Sequence, residues 1–178
     1  MSDVAPTVAP TVVPSTCDLK FVSSDNKEFL IPANAIKMSG TIKDMLVGLG
    51  LDNLEMTNAD AIPLPNVDAK TLEKVITWCK HHIEHPEAPV DPSADPSQRE
   101  LSEYASNYFK LEQTEIFEII LAANFLDIQC LLRAGCKKIA DMMKGKTTEQ
   151  LRAQFEIVND FTAEEEEAIR KENAWCED

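Results

Sequence analysis

The sequence predicts an α/β fold in which a small sheet near the N-terminus is followed by helices only. Three observations predict it. Residues 17–32 alternate on either side of a polar turn, as a hairpin does. A short apolar segment at 62–65 reads as a further strand, and from residue 101 onward the apolar patterns have a helical period. The chain is 178 residues long. At that length roughly 70% of the unfolded surface can be buried, enough for one real core.

The first 16 residues repeat an Ala-Pro-Thr-Val theme with Pro6, Pro10 and Pro14. Each proline removes a donor and biases the chain to polyproline conformations, so 1–16 is expected to be a disordered tail. In CDLKFVSS, Leu19 and Phe21 alternate with Lys20 and Val22. Asp25-Asn26 supplies the turn, and EFLI returns to Pro32. Residues 33–38 and 40–49 read as two short helices, with Ser39 placed to cap the second. Pro63 and Pro65 confine the 62–65 strand to an edge or a strand end, because proline cannot donate to a ladder. Asp68 caps a helix whose Leu72, Val75, Ile76, Cys79 and Ile83 make one apolar stripe.

Residues 84–98, EHPEAPVDPSADPSQ, hold four prolines and no apolar period, which predicts a long, flexible, acidic loop. Leu101, Tyr104, Ala105 and Tyr108 mark the next helix. TEIFEIILAANFL at 114–126 is apolar almost all round, so it must touch something on more than one side. Asp127 is expected to cap the following helix, with Gly145 at its C-terminal end. Thr147 with Gln150, and Thr162 with Glu165, have the spacing of capping boxes that open the last two helices. Between Thr162 and Asp178 the large apolar groups are only Ile169 and Trp175. So little apolar area cannot fix a helix firmly to its own domain, and a terminal Trp wants a pocket.

Composition limits the function. There are 31 acidic residues against 17 basic ones, a net charge of −14. Such a surface repels phosphate backbones and anionic lipid, which argues against nucleic-acid or membrane-surface binding. No apolar run approaches a membrane span, and the N-terminus has no basic region of the secretory kind. Five widely spaced cysteines without a CxxC argue against a disulfide framework or a zinc site. A reduced, soluble, intracellular protein of cytoplasm and nucleus is expected.

Catalytic and metal patterns fail one by one. In WCKHHIEH, His81 and His85 share one helix face while Cys79 and His82 share another. At most two ligands converge, fewer than zinc needs, and the expected arrangement is a core Cys79 with a solvated histidine face. Lys144-Gly145-Lys146-Thr147 looks like the end of a phosphate loop, but the earlier glycine it needs is Ala140, inside a helix. Ser24-Asp25-Asn26-Lys27 overlays two serine-acylating signatures that belong on separate elements. Glu164 to Glu167 reads as a solvated run that complements a helix N-terminus. No catalytic residue, cofactor or metal is expected.

Three stretches carry a resemblance: PLPNVDAKTLEKVITWCKHH, EIFEIILAANFLDI, and CKKIADMMKGKTTEQLRAQFEIVNDFTAEEEEAIRKENAWCED. With them the chain, from residue 17 to 178, resembles the Skp (S-phase-kinase-associated) adaptors of SCF ubiquitin ligases. The resemblance implies a BTB/POZ-type α/β fold over 17–126 and a C-terminal helical extension over 127–178 that binds F-box proteins; the 1–16 tail has no counterpart in the family. It implies no catalysis. Such adaptors bridge a cullin scaffold to F-box proteins, which bring the substrate. The F-box surface it implies is Phe117, Ile120, Leu121, Asn124, Leu132, Cys136, Ile139, Phe155, Ile157, Asn159, Trp175 and Cys176. The apolar members would fill pockets, and Asn124 and Asn159 would meet polar groups at the rim. Asn124 and Phe125 are implied on the cullin face. A weak homodimer of the free protein is a further partner expectation.

Some positions depart from the family pattern. Phe125 stands where Tyr is usual, which removes a hydroxyl and about 0.5–1.5 kcal/mol of any hydrogen bond it made. Tyr104-Ala105 replaces Trp-Asp, so that helix is expected to begin or pack differently. Thr148 stands where some relatives have proline, which excludes a hydroxyproline modification there. Two other readings compete. SGTIKDML and AANFLD also resemble an elongin-C-like adaptor, but that family ends about fifty residues earlier. A self-associating BTB scaffold would ordinarily carry further domains.

Overall fold

The computed structural model describes residues 18–48, 61–86 and 100–174. The 1–16 tail, most of the 84–98 loop, Trp175 and Cys176 lie outside the described residues. The elements, in order, are β1 (Asp18–Ser23), β2 (Glu28–Pro32), α1 (Ala33–Ile36), α2 (Gly40–Gly48), β3 (Ile62–Leu64), α3 (Ala69–Glu84), α4 (Glu103–Tyr108), α5 (Gln113–Phe125), α6 (Gln129–Met143), α7 (Thr148–Phe155) and α8 (Ala163–Glu172). They fall into two compact units, one running to Lys138 and one beginning at Ile139.

The sheet of the first unit has the order β2-β1-β3. β1 and β2 form the expected antiparallel hairpin, with Leu19 opposite Ile31 and Phe21 opposite Phe29. β3 lies parallel to β1, with Ile62 opposite Phe21, and its edge position suits Pro63. Leu19, Phe21, Ile31, Ile62 and Leu64 are buried, while Lys20 and Leu30 are exposed on the other face. Asn26 supplies the left-handed residue of the turn (φ 60). Asp25 Oδ1 accepts the Ser23 hydroxyl at 2.7 Å and the Ala69 N–H at 2.9 Å, which fastens the turn to the start of α3. The Ser23 hydrogen bond holds the Asp25 carboxyl below its ordinary range.

Asp68 caps α3 by accepting the Thr71 N–H at 3.2 Å. Leu72, Val75, Ile76 and Cys79 are buried as expected, and burial pushes the Cys79 thiol up to about 12, where it stays protonated. Ile83 is only half-buried. In its place Trp78 and His82 are buried, because α3 is covered on a second side by α4. The Trp78 ring centre lies 5.6, 4.9 and 5.8 Å from those of Tyr104, Tyr108 and Phe109, and its Nε1–H points to Cys130 Sγ at 3.4 Å. The solvated histidine face therefore needs correction: His82 is buried and stacks on Trp78 at 4.3 Å. His81 stacks on Tyr104 at 3.4 Å and on His85 at 4.6 Å. The Tyr104-Ala105 departure thus packs as a histidine–tyrosine stack above a buried alanine. Among the described residues no three of His, Cys, Asp and Glu converge as metal ligands would, and no helix is long and apolar enough to cross a membrane.

Asp127 does not cap α6. It adopts φ 51 and ends α5 instead, with its N–H on Asn124 O at 3.1 Å and the Ile128 N–H on Ala123 O at 2.8 Å. That is the double bond pattern of a left-handed helix C-terminus, which satisfies two carbonyls of α5. The start of α2 holds this end in place. Ser39 Oγ donates to Leu126 O at 2.5 Å, Thr41 Oγ1 to Phe125 O at 2.8 Å, and the Gly40 N–H to Asp127 O at 3.2 Å. A Cβ on Gly40 would collide with Asp127 Oδ2, so a larger residue there would have to displace the Asp127 carboxylate. Ser39 also caps α2, as expected, by accepting the Ile42 N–H at 3.2 Å.

In the second unit Gly145 (φ 74) follows the end of α6, and both capping boxes are complete, at Thr147/Gln150 and Thr162/Glu165. Neither α7 nor α8 contains a buried residue.

Candidate protein-docking surfaces

Each unit carries a bare apolar surface of its own. In the first, α5 buries Ile116, Ile119, Ala122 and Ala123, which leaves the opposite side of this nearly all-apolar helix open. Phe117, Leu121 and Asn124, at i, i+4 and i+7, lie along that side, with Phe117 38% and Leu121 69% exposed. Fully burying a Leu or Phe is worth about 1.5–3 kcal/mol relative to leaving it in water, so the exposed part of this stripe is burial that the chain leaves unused.

Ile120 is half-buried because it lies against α6. A Cβ on Gly135 would stand 2.6 Å from Ile120 Cγ1, so the two helices approach closely at a glycine. Phe109 reaches the same spot, 3.7 Å from that position. On α6, Leu132 is half-buried and Cys136 exposed, one turn apart on one side. Ile139 follows at i+7, half-buried, as the first residue of the second unit.

Asn124 is exposed and Phe125 half-buried at the C-terminal end of α5. The backbone here is held by Thr41, whose hydroxyl donates to the Phe125 carbonyl. The main chain of this corner is thus fixed whatever the Phe125 ring meets, and the ring itself has no hydroxyl to offer a partner.

In the second unit, the connection between α7 and α8 makes a ledge. Ile157, Val158 and Phe161 are exposed, Val158 to 83%, and Phe155 is half-buried at the end of α7. Val158 and Phe161 were absent from the expected set. Their signal was present in the sequence: three large apolar residues occupy a connection between two capping boxes, where turn residues are ordinarily polar. Beside the ledge runs a shallow, open groove of about 510 Å³, lined by Glu149, Arg152, Glu156, Ile157, Val158, Asn159, Glu166 and Arg170 among others. Arg152 Nη1 donates to Glu166 Oε1 at 2.7 Å, and this bond is the main cause that holds the Glu166 carboxyl below its ordinary range. Asn159 is engaged within the chain, its Nδ2 donating to Glu166 Oε1 at 3.2 Å.

The expected residues therefore fall into two groups: Phe117, Ile120, Leu121, Asn124, Leu132 and Cys136 in the first unit, and Ile139, Phe155, Ile157 and Asn159 in the second. Such surfaces can bury a partner's apolar side chains and satisfy a polar rim, the anatomy of a protein interface.

Comparison with known proteins agrees on one family for both units. Residues 18–84 match the Skp1 family tetramerisation domain, and residues 129–176 match the Skp1 family dimerisation domain. A Skp1-related protein of Caenorhabditis elegans is 49% identical over 162 residues, 90% of this chain and 92% of that protein. The SCF ubiquitin ligase complex protein SKP1b of Dictyostelium discoideum is 47% identical over 90% of this chain and 96% of its own length. The E3 ubiquitin ligase complex SCF subunit sconC of Arthroderma otae is 43% identical over 92% of this chain and 97% of its own.

Proposed function

The chain belongs to the Skp1 family, and from that premise we infer that it is an adaptor subunit of an SCF-type ubiquitin ligase. Its first unit is of the BTB/POZ type, with a small sheet under helices, and a helical region follows. The finer reading is that it works without catalysis, in cytoplasm and nucleus, and joins a cullin to F-box proteins for ubiquitin-dependent degradation. The F-box protein takes the bare sides of α5 and α6 and the ledge after α7, together with Trp175 and Cys176. The cullin takes the end of α5 at Asn124 and Phe125.

One observation carries this reading. Leu121 (69% exposed) and Phe117 (38% exposed) lie one turn apart on the same side of α5, in a unit whose Phe21, Trp78 and Phe109 are no more than 1% exposed. Bare apolar area on an ordered scaffold is the mark of an interface awaiting its partner. The elongin-C-like alternative is disfavoured by the match at 129–176, where the extension lies. A self-associating scaffold would bury the same stripe against a second copy.

The experiment uses the full chain with a purified F-box protein and a purified cullin. The wild type is expected to bind both at once. Leu121→Asp should weaken F-box binding by about tenfold or more, or about 1.4 kcal/mol, while cullin binding and the melting temperature stay unchanged. Equal F-box affinity for wild type and variant would remove α5 from the interface, and absence of binding by the wild type would end the adaptor reading.

A further inference from the structure

The polar groups that shape the connection between α7 and α8 are used within the chain. Glu156 leaves α7 in the left-handed region (φ 53), and the Ile157 N–H returns to Arg152 O at 2.9 Å. Asn159 turns the backbone by accepting the Phe161 N–H on Oδ1 at 3.3 Å. Its Nδ2 donates to Glu166 Oε1 at 3.2 Å, and Arg152 Nη1 donates to that same oxygen at 2.7 Å. Thr162 then opens α8 with its capping box. A single carboxylate oxygen thus ties the last turns of α7, the middle of the connection and the first turn of α8. Meanwhile Ile157, Val158 and Phe161 are left in solvent.

The four consecutive glutamates are correspondingly unequal. Glu165 closes the capping box onto Thr162, and Glu167 pairs with Lys171 on the surface at 2.8 Å. Glu164 is exposed at the helix start, and only Glu166 is half-buried and reaches another element. The charges facing Glu166 are Arg152 from α7 and Arg170 from its own helix, with Glu149 of α7 on the same groove.

We propose that Glu166 is the positioning residue of the second docking surface, holding Arg152 and Asn159 so that Ile157 and Val158 are displayed before a partner helix arrives. This deepens the F-box reading and rests on it. A ledge set in advance has less conformational freedom to lose on binding, so affinity is gained without any contact between Glu166 and the partner. Asn159, implied at the rim of the F-box surface, acts through this same oxygen.

Two measurements on the full-length protein test the proposal: amide hydrogen exchange of residues 157–161 in the free chain, and the dissociation constant for a purified F-box protein. Glu166→Ala should speed exchange of these amides by about fivefold and raise the dissociation constant by about as much. Glu166→Gln keeps an acceptor oxygen for both donors and should stay within about twofold of wild type in both readouts. Glu167→Ala should change neither, although it removes the same charge. Unchanged exchange in Glu166→Ala would overturn the positioning role. Faster exchange with unchanged affinity would overturn its part in docking. If exchange responds as expected but the wild type binds no F-box protein, Glu166 still positions the ledge and the F-box reading is the one that fails.

Discussion

The two units treat their apolar residues in opposite ways. In the first, Trp78, Phe21 and Phe109 are no more than 1% exposed, and a three-stranded sheet, α3 and α4 close around them. In the second, no residue of α7 or α8 is fully buried, and Val158, Ile157 and Phe161 are among the most exposed apolar residues described. Helices of eight and ten residues are marginal by themselves. Among the described residues local devices contribute to holding them: two reciprocal capping boxes, a left-handed glycine after α6, and an arginine–glutamate bond between α7 and α8, beside the half-buried Leu151 and Phe155. A core specifies itself through packing, whereas a docking surface must be kept in shape by groups that leave its apolar side chains free.

The largest effect expected from this contrast comes from the same kind of deletion made once in each unit. Trp78→Ala removes an indole packed against Tyr104, Tyr108, Phe109 and His82 and should cost about 3–5 kcal/mol in denaturant unfolding. Phe155→Ala removes the largest side chain of α7, which is only half-buried, and should cost no more than about 1 kcal/mol. Equal losses would mean that the second unit has a core of its own and the contrast is wrong.

The local devices were legible in the sequence because their chemistry is local. Asp25-Asn26 at the hairpin turn, Ser39 and Asp68 as caps, both capping boxes and Gly145 need only a few neighbouring residues to act. Trp78 and His82 were missed because a stripe of aliphatic residues marks one face of α3, while α4 covers a second face and arrives from more than twenty positions away. Asp127 was misread because an aspartate between two helices has two local solutions. It can cap the helix that follows or take the left-handed turn that ends the one before, and hydrogen bonds from Gly40 and Ser39 to this corner favour the second. The docking stripe was half legible. An all-apolar α5 announces two contact sides, but periodicity does not say which side this chain fills by itself. That is settled by the burial of Ile116 and Ile119, by the packing of α5 on α3 and by the close approach at Gly135.

A smaller effect follows pH in the first unit. Glu115 on α5 bridges Lys70 and Lys74 of α3, at 3.0 Å from Lys74 Nζ, and the hydrogen bonds from these lysines, Lys70 first, lower its carboxyl from 4.5 to about 2. A carboxyl whose folded value is depressed binds protons more readily when unfolded. Its stabilisation is therefore present above pH 4.5 and is lost as the pH falls toward about 2. Stability of the first unit, followed by urea unfolding, should decline across that window and decline less steeply in Glu115→Gln. An identical acid slope in the variant would show that the bridge contributes nothing to folding.

The smallest effect belongs to Glu156, which ends α7 at φ 53 without being a glycine. A side chain with a Cβ in the left-handed region costs about 1–2 kcal/mol, of which glycine would recover a part after its own greater freedom in the unfolded chain is counted. Glu156→Gly should therefore stabilise the end of α7 by about 0.5–1 kcal/mol. Amide exchange within residues 148–155 should slow by about two- to fivefold, and the Trp78-centred core should melt where it did before. If the variant instead speeds exchange in α7, the Glu156 side chain makes a stabilising contribution that outweighs its backbone strain, and the local devices of this unit extend to a residue whose conformation alone gives no reason for keeping it.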